Sequence, residues 1–568
     1  MDKEYIERYW HTSSHILAQA VKKLFPDVKL GTGPAIENGF YYDFYRGEPF
    51  TPSDLEKISK VMEDIIKQNL PVEKISVSKE EAKKILKDEP FKLEILEGIK
   101  EDTVTFYRQG DFIDLCEGPH ISSTGEIKHF KILSTAASYW RGDENRESMQ
   151  RIYGISFPEK AQLDQYLRFL EEAKERDHRT LGPKLDLFSL HPEFGSGLIY
   201  WHPRGALIRK IIEDFWKDVH LKNGYQIVYT PHIADLSLWE RSGHTGFYKE
   251  NMFSPMEMGN RAFQLKPMNC PFHILIYNTK LRSYRDFPIR WAELGTVYRY
   301  EKQGVLHGLL RVRGFTQDDA HIFCTEEQIE EEVVKVLDLV SFFLGKFGFT
   351  EYKIFLSTRP EKYVGSPEGW TKATIALENG LKKKGMAYEI DPGEGVFYGP
   401  KIDIKIKDCL KREWQCSTIQ VDFNIPERFN LKYTDKDGSF KTPILIHRAI
   451  FGSIERFFGV LIEHYKGNFP FWLAPEQIRV LPISERHLPY AERTVKLLEP
   501  YFRIQIDRRN EKINRKIRDA EEEKVPYMII IGDKEEEKGM IALRKHGEGM
   551  VGTFTPDEII QKLKESEL

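Results

Sequence analysis

Apolar residues recur at helical spacing near the start of the chain, where Ile16, Leu17, Ala20, Val21 and Leu24 form one stripe and predict an amphipathic helix. A longer stripe, Leu207, Ile208, Ile211, Ile212, Phe215, Trp216 and Val219, predicts a helix ended by Gly224 and a strand over 225–229 stopped by Pro231. Between them, residues 158–179 read as a charged linker helix with Leu163, Leu167 and Leu170 on one face. The period changes over 296–323. Short apolar and aromatic stretches there flank residues 302–308, which two glycines interrupt, and the pattern predicts two strands joined by a loop. Along the second strand Leu310, Val312, Gly314, Ala320 and Ile322 share a side interrupted by Thr316 and Asp318; the other side carries Arg311, Arg313, Phe315, Gln317, Asp319 and His321. Arg299 and Glu301 share a face of the first strand. Ile402, Ile404 and Ile406 alternate with Lys401, Asp403 and Lys405 as in a half-buried strand. Residues 444–446 read as a short strand, and Ile454, Phe457, Phe458, Leu461 and Ile462 as the buried face of the helix after it. Beyond residue 474 strands and helices alternate, which predicts an α/β domain.

Composition narrows the class. A chain of 568 residues exceeds what one core supports, so several domains are expected. With 40% hydrophobic and 30% charged residues the chain reads as soluble and globular, and a net charge of −4 confines any nucleic-acid contact to local basic patches. One such patch spans 503–518, with seven Lys or Arg against two acids. Five widely spaced cysteines argue against a disulfide framework and for a reducing compartment. The N-terminus lacks a basic segment followed by an apolar run, and no apolar stretch approaches the roughly 20 residues of a membrane span. A cytoplasmic protein without a membrane partner is expected.

Candidate chemistry concentrates on the polar face of 296–323. Guanidinium groups, an aromatic plate, carboxylates and an imidazole suit a ligand combining phosphate, a purine and a polar small molecule; the alternative is an exposed, salt-bridged hairpin. Near the start, His11 and His15 lie four apart on the predicted helix, and Cys116 and His120 are also four apart but in a loop broken by Gly118 and Pro119. Either pair alone is a weak signal, since a surface histidine pair is the commoner use of such spacing.

Together, HxxxH and CxxxH, with GTGPAIENGFYYDF between them, resemble the editing domain shared by threonyl- and alanyl-tRNA synthetases over roughly 1–157. The helix and strand over 207–229, the hairpin over 296–323 and the strand and helix over 445–464 resemble motifs 1, 2 and 3 of class II aminoacyl-tRNA synthetases. Together they are similar to bacterial-type threonyl-tRNA synthetases over essentially the whole chain. The resemblance implies an α+β multidomain fold. An editing domain (1–157) and a linker helix (158–180) would precede a catalytic domain built on an antiparallel sheet (181–473) and an α/β anticodon-binding domain (474–568). Many members carry a further small domain ahead of the editing segment, and this sequence is expected to lack it.

The implied activity is activation of L-threonine by ATP, transfer to tRNA(Thr), and hydrolysis of mischarged seryl-tRNA(Thr). Arg299 would bridge the substrate carboxylate and α-phosphate, Arg311 and Arg456 would hold the other phosphates, Glu301 would accept from the adenine amino group and Phe315 would stack on the ring, with Gln415 and Ser453 nearby and Mg2+ sharing the charge. No GxxxxGK phosphate loop is evident. Cys270, His321 and His447 have no local ligand spacing, and from the residues alone they read as a buried thiol and two structural histidines. The resemblance instead makes them ligands of one Zn2+ with room for substrate. Threonine would present its amino group and hydroxyl to the metal, and valine could not; serine could, which is why a separate editing site is implied. Met268, Gln317, Asp319, Tyr398 and Gln420 would complete the threonine pocket, Asp319 accepting the hydroxyl proton. Gln415 and Gln420 have opposite strand parity, so both reach one site only across a bulge or bend. In the first segment His11, His15, Asp114, Cys116 and His120 would line the hydrolytic pocket, whose residues also permit a metal. A two-fold homodimer is implied as well. Two other readings stay open: a catalytically silent synthetase-like protein that binds tRNA or regulates, and a stand-alone hydrolase of mischarged tRNA.

Overall fold

The computed structural model describes residues 2–143 and 145–565, so the outermost ends of the expected first and last segments fall outside it. It divides into two compact units, Met1–Glu172 and Ala173–Leu568.

In the first unit, the helix Lys3–Leu24 starts at Asp2, whose side chain accepts from Glu4 N–H. Its predicted stripe is buried at Ile16, Leu17, Ala20 and Val21 and half-buried at Leu24. It shares a core with strands Gly39–Tyr45 and Ser148–Phe157 of a five-stranded antiparallel sheet that His129–Tyr139 extends. A three-stranded sheet, Val72–Ser78, Thr103–Gln109 and Phe112–Leu115, carries Asp114 on its last strand. The charged helix runs over Lys160–Arg176, with Leu163 buried and Tyr166 and Leu167 packed on this unit's core. It stops at Asp177, whose carboxylate accepts from Arg179 N–H and opens a second helix, His178–Lys184. The predicted single helix is therefore two, because a capping carboxylate at Asp177 competes with helix continuation.

The second unit is built on an eight-stranded, mainly antiparallel sheet. Its centre runs Ile289–Tyr298, Gly314–Cys324, Ile444–Ala449, Glu413–Asp422 and Lys401–Lys407 in spatial order. Register decides what this sheet can do: His321 lies opposite His447, and His447 opposite Gln420. The predicted second strand is shorter than its pattern, beginning at Gly314 and not at Leu310. From Phe315 to Asp319 the alternation holds, with Thr316 and Asp318 buried and Phe315, Gln317 and Asp319 partly open. Residues 299–313 form one long loop instead. Arg299 N–H still donates to Arg313 O (2.8 Å), but His307 and Arg311 exchange their own backbone bonds (3.1 and 3.2 Å), so the loop satisfies itself and does not extend the ladder. Likewise the strand after Gly224 shrinks to Gln226–Ile227.

The bulge demanded by Gln415 and Gln420 is present: the pairing of Glu413–Asp422 with Lys401–Lys407 slips at Ile404 and Lys405, skipping Cys416. Helix Pro203–Lys222 buries Ile208, Ile212, Trp216 and Val219, and helix Ile454–Tyr465 buries all five predicted positions. Truncating fully buried Trp216 to Ala would cost about 3–5 kcal/mol. Ser453 stands outside that second helix as its N-cap, accepting from Arg456 N–H (3.1 Å). The C-terminal segment is a five-stranded sheet, three strands parallel and two antiparallel, covered by Leu488–Leu498 and Ile513–Glu522.

Candidate active site

The central strands, the 299–313 loop and the start of helix Ile454–Tyr465 surround a cavity of about 400 Å3. Every site residue expected in the second unit lines it: Arg299, Glu301, Arg311, Phe315, Gln415, Ser453 and Arg456, expected for ATP, and Met268, Gln317, Asp319, Tyr398, Gln420, Cys270, His321 and His447, expected for threonine and a metal. Arg313 does not. Its Nε donates to Glu301 O (2.9 Å), because strand parity does not extend into the loop.

The cationic half is anchored by its own backbone. Arg456 Nε donates to Leu310 O (3.1 Å) and Arg299 Nε to Pro267 O (3.3 Å), while the Arg299 guanidinium sits 5.0 Å from the Phe315 ring centre. Burial, and beyond it the neighbouring Arg299 and Arg311, hold Arg456 below its ordinary range. That crowding of like charge is a standing attraction for a polyanion. Arg311 is half exposed and its Nε donates to Glu301 Oε2 (3.0 Å), an exposed pair a ligand can open cheaply.

His321 and His447, which also line the cavity, belong to a chain of imidazoles. His273 Nε2 contacts Glu293 Oε2 (3.1 Å), His321 Nδ1 contacts His273 Nδ1 (2.9 Å), His321 Nε2 contacts His447 Nδ1 (2.9 Å), and His447 Nε2 contacts Asp422 Oδ2 (3.0 Å). Burial holds His321 well below the ordinary imidazole range, so it is neutral. A neutral His321 has one N–H for its two imidazole contacts. When that proton goes to His273, the His321 Nε2 lone pair is left facing His447 Nδ1. Cys270 Sγ joins them, all three ligand atoms lying within 4.8 Å of one another. A cation between them would take up such lone pairs and hold the thiol as thiolate, whereas burial alone pushes the Cys270 thiol well up. The donor set fits a metal.

Beside the cluster Asp319 accepts from Asn269 Nδ2 (3.1 Å), and Tyr398 Oη donates to Gln420 Oε1 (2.6 Å). Burial raises the Asp319 carboxyl, as expected for an acid awaiting a partner. Sequence reasoning missed Asn269, His273, Glu293, Asp422 and the cavity-lining Thr418. Some signals were there. Thr418 and Asp422 share the parity of Gln420, and Gly295, inside a strand, marks a close approach: a Cβ there would lie 2.5 Å from the Asn269 amide. His273 lies one helical turn from Cys270.

In the first unit the five expected residues also converge. His11 Nε2 and His120 Nε2 each lie 3.3 Å from Cys116 Sγ, and His15 Nε2 lies 3.7 Å from Asp114 Oδ2. Asp114 is held by Lys92 Nζ (2.6 Å) and Tyr42 Oη (2.5 Å), two residues that no spacing marks. Burial lowers His11, His15 and His120 and pushes Cys116 up to about 12. The pocket is thus neutral imidazoles and a thiol beside a buried ammonium–carboxylate pair, equipped to hold and polarise a water. The ligand atoms of His11, His15, Cys116 and His120 lie within 4.8 Å of one another, so a metal is sterically possible there too.

Comparison with known proteins defines the class. Residues 253–465 match the tRNA synthetase class II core domain (G, H, P, S and T), 477–566 match an anticodon binding domain, and 104–153 match the threonyl and alanyl tRNA synthetase second additional domain. The sheet and its cavity are therefore those of a class II synthetase. Within that class, the threonine–tRNA ligase of Caldanaerobacter subterraneus subsp. tengcongensis is 54% identical over 99% of this chain and 87% of its own length. That of Dehalococcoides mccartyi strain CBDB1 is 55% identical over 94% of this chain and 92% of its own. The RNA binding domain of threonyl-tRNA synthetase from Cryptosporidium parvum Iowa II superposes with a TM-score of 0.66 at 43% identity, covering 69% of this chain and 98% of that one. The chain belongs to the threonine–tRNA ligase family, as its motifs imply.

Proposed function

We propose that the central cavity performs ATP-dependent activation of L-threonine for transfer to tRNA(Thr), and that the first unit hydrolyses seryl-tRNA(Thr). The enzyme reading and the editing function accord with the near-full-length relatives and the matched segments. A silent binding protein does not account for the cavity. The observation that carries the reading is one cavity lined both by Arg299, Arg311 and Arg456 and by the Cys270–His321–His447 cluster, whose two histidines the strand register sets opposite each other.

Activation brings a carboxylate to the α-phosphorus of ATP, and fixed cations at that point lower the barrier without reorganising. Arg299, between the Phe315 ring and the amino-acid end, is placed to touch both anions. Arg311 and Arg456 take the remaining phosphate charge with Mg2+, while Glu301 and Phe315 receive the purine. Ser453 and Gln415 hold Arg456 in place, through Ser453 Oγ accepting from its backbone N–H and Gln415 O from its Nη1 (3.4 Å). Zn2+ held by Cys270, His321 and His447 would supply a Lewis acid that recognises an amino group and a hydroxyl together. Asp319, oriented by Asn269, accepts the substrate hydroxyl proton; Gln317, Met268, Tyr398 and Gln420 close the pocket around the methyl group and amine. A missing methyl weakens serine by only about 1–3 kcal/mol, hence the second site.

In that second site His11, His15 and His120 position a water, and Lys92 fixes the Asp114 carboxylate that faces His15. We further assign segment boundaries at 157, 180 and 473, and a homodimer. The hairpin of Phe188–Leu190 and Ile199–Trp201 supports the dimer, since it exposes Leu190 and Tyr200 and, in its turn, leaves Phe194 77% exposed. In the basic stretch Arg503 is held by Ala474 O, Lys516 by Pro482 O and Arg509 by Asp507 and Asp519, while exposed Lys512 and the exposed, weakly held pairs of Arg508 with Glu492, Arg515 with Glu511 and Arg518 with Glu522 are where tRNA phosphates would bind. A cytoplasmic setting accords with the five free cysteines. The direct test is threonine-dependent ATP–pyrophosphate exchange, whose absence would sink the reading.

A further inference from the structure

The first residue of the short helix His178–Lys184 reaches the loop that frames the nucleotide end of the cavity. His178 is fully buried, and both ring nitrogens are engaged. Leu309 N–H can only donate, and it does so to His178 Nε2 (3.0 Å); the ring must therefore carry its proton on Nδ1, which donates to Glu463 Oε1 (2.6 Å). Glu463 is fixed in turn by Arg412 Nη2 on its other oxygen (2.6 Å). With both nitrogens and both carboxylate oxygens engaged, the Asp177, His178 and Glu463 group has no lone pair aimed at a common point and is not a metal site.

Two glycines make room for the ring. A Cβ on Gly308 would stand 2.1 Å from His178 Nε2, and one on Gly459 would meet Leu309 and Leu310 at 3.1 Å. One residue beyond the contact, Leu310 O accepts from Arg456 Nε, and the next residue is Arg311. We propose that His178 is a positioning residue for ATP: as a neutral imidazole locked between Glu463 and the Leu309 N–H, it fixes the loop that carries Glu301 and Arg311 and supplies the carbonyl that aims Arg456. The inference rests on the reading of residues 299–313 as the nucleotide loop.

The test is threonine-dependent exchange with His178→Ala, His178→Gln and Arg311→Ala, resolved into the two KM values and kcat. Loss of the buried acceptor should raise the KM for ATP about tenfold and leave that for threonine within about twofold, because Gln317, Asp319, His321, Gln420 and His447 stand on strands and not on this loop. His178→Gln, whose amide oxygen can take the place of Nε2, should recover most of the loss. Leu181→Ala, in the same helix, should lower thermal stability without moving the KM for ATP. If His178→Ala does not fold, His178→Asn, whose amide stops short of Leu309, replaces it in the comparison with His178→Gln. An unchanged KM for ATP, equal movement of both KM values, or a glutamine variant no better than alanine or asparagine overturns the proposal while a rise with Arg311→Ala keeps the nucleotide reading. If Arg311→Ala leaves the KM for ATP unmoved, the nucleotide reading and the proposal fall together.

Discussion

The two histidine–cysteine clusters use the same side chains and are surrounded differently. Around Cys270, His321 and His447, each ligand imidazole has its second nitrogen engaged, by His273 or by Asp422, so the nitrogens that face each other can turn lone pairs to a cation. Around His11, His15, Cys116 and His120 the sulfur already sits within hydrogen-bonding reach of two imidazoles and accepts from Gly118 N–H (3.3 Å), and a lysine ammonium lies 2.6 Å from the adjoining carboxylate. A buried ammonium opposes a second cation and favours a polarised water or an oxyanion. Ligand type therefore does not decide metal from proton chemistry; the second layer of partners does.

The comparison breaks most sharply if the clusters can be exchanged in role. Cys270→Ala should abolish threonine-dependent exchange and the bound zinc measured on the purified protein, while His11→Ala with His15→Ala should leave both intact. Nearly as large, Arg299→Ala should lower kcat for exchange by about 10²–10³, the loss of one preorganised charge contact. Should the N-terminal pair instead lower exchange, or carry half the zinc, the distinction drawn from the neighbours fails. In charging assays the same pair should let seryl-tRNA accumulate, and Lys92→Ala should do so as well.

Acidity sharpens the contrast further. Burial lowers His11, His15 and His120 from the ordinary 6.5, so the folded first unit binds fewer protons than the unfolded chain. Its stability should be flat above about pH 6.5 and fall as pH drops below it, the window in which only the unfolded imidazoles take up protons. Thermal unfolding followed from pH 8 to 5 reads this, and stability that rises on acidification would contradict it. The smallest expected effect lies in the C-terminal segment, where Arg508→Ala with Lys512→Ala should raise the KM for tRNA a few-fold, with a weaker salt dependence and unchanged exchange.

Much of this could be read from the chain because the site is local in pattern. Phe315, Gln317 and Asp319 announce a polar face by strand parity, and the clash of parity between Gln415 and Gln420 demands the bulge found at Cys416. What parity could not show is where a strand stops. The 299–313 loop satisfies its own backbone, so Leu310 and Val312, buried as expected and Leu310 within the main core, also line the cavity, and Arg313 turns away from it. Nor could spacing reveal partners brought in by tertiary register. Lys92 and Tyr42 meet Asp114 from separate elements, and His178 meets Leu309 across 131 positions of sequence. Long-range pairing of this kind leaves no periodic trace.

The most direct measurement of the central claim is ATP–pyrophosphate exchange with threonine, valine and serine side by side, with and without a chelator. Exchange should be strong with threonine, measurable with serine, absent with valine, and lost for both substrates when metal is removed. Exchange with valine at the threonine rate, or exchange indifferent to the chelator, would contradict a cavity in which the Cys270–His321–His447 cluster selects the amino acid.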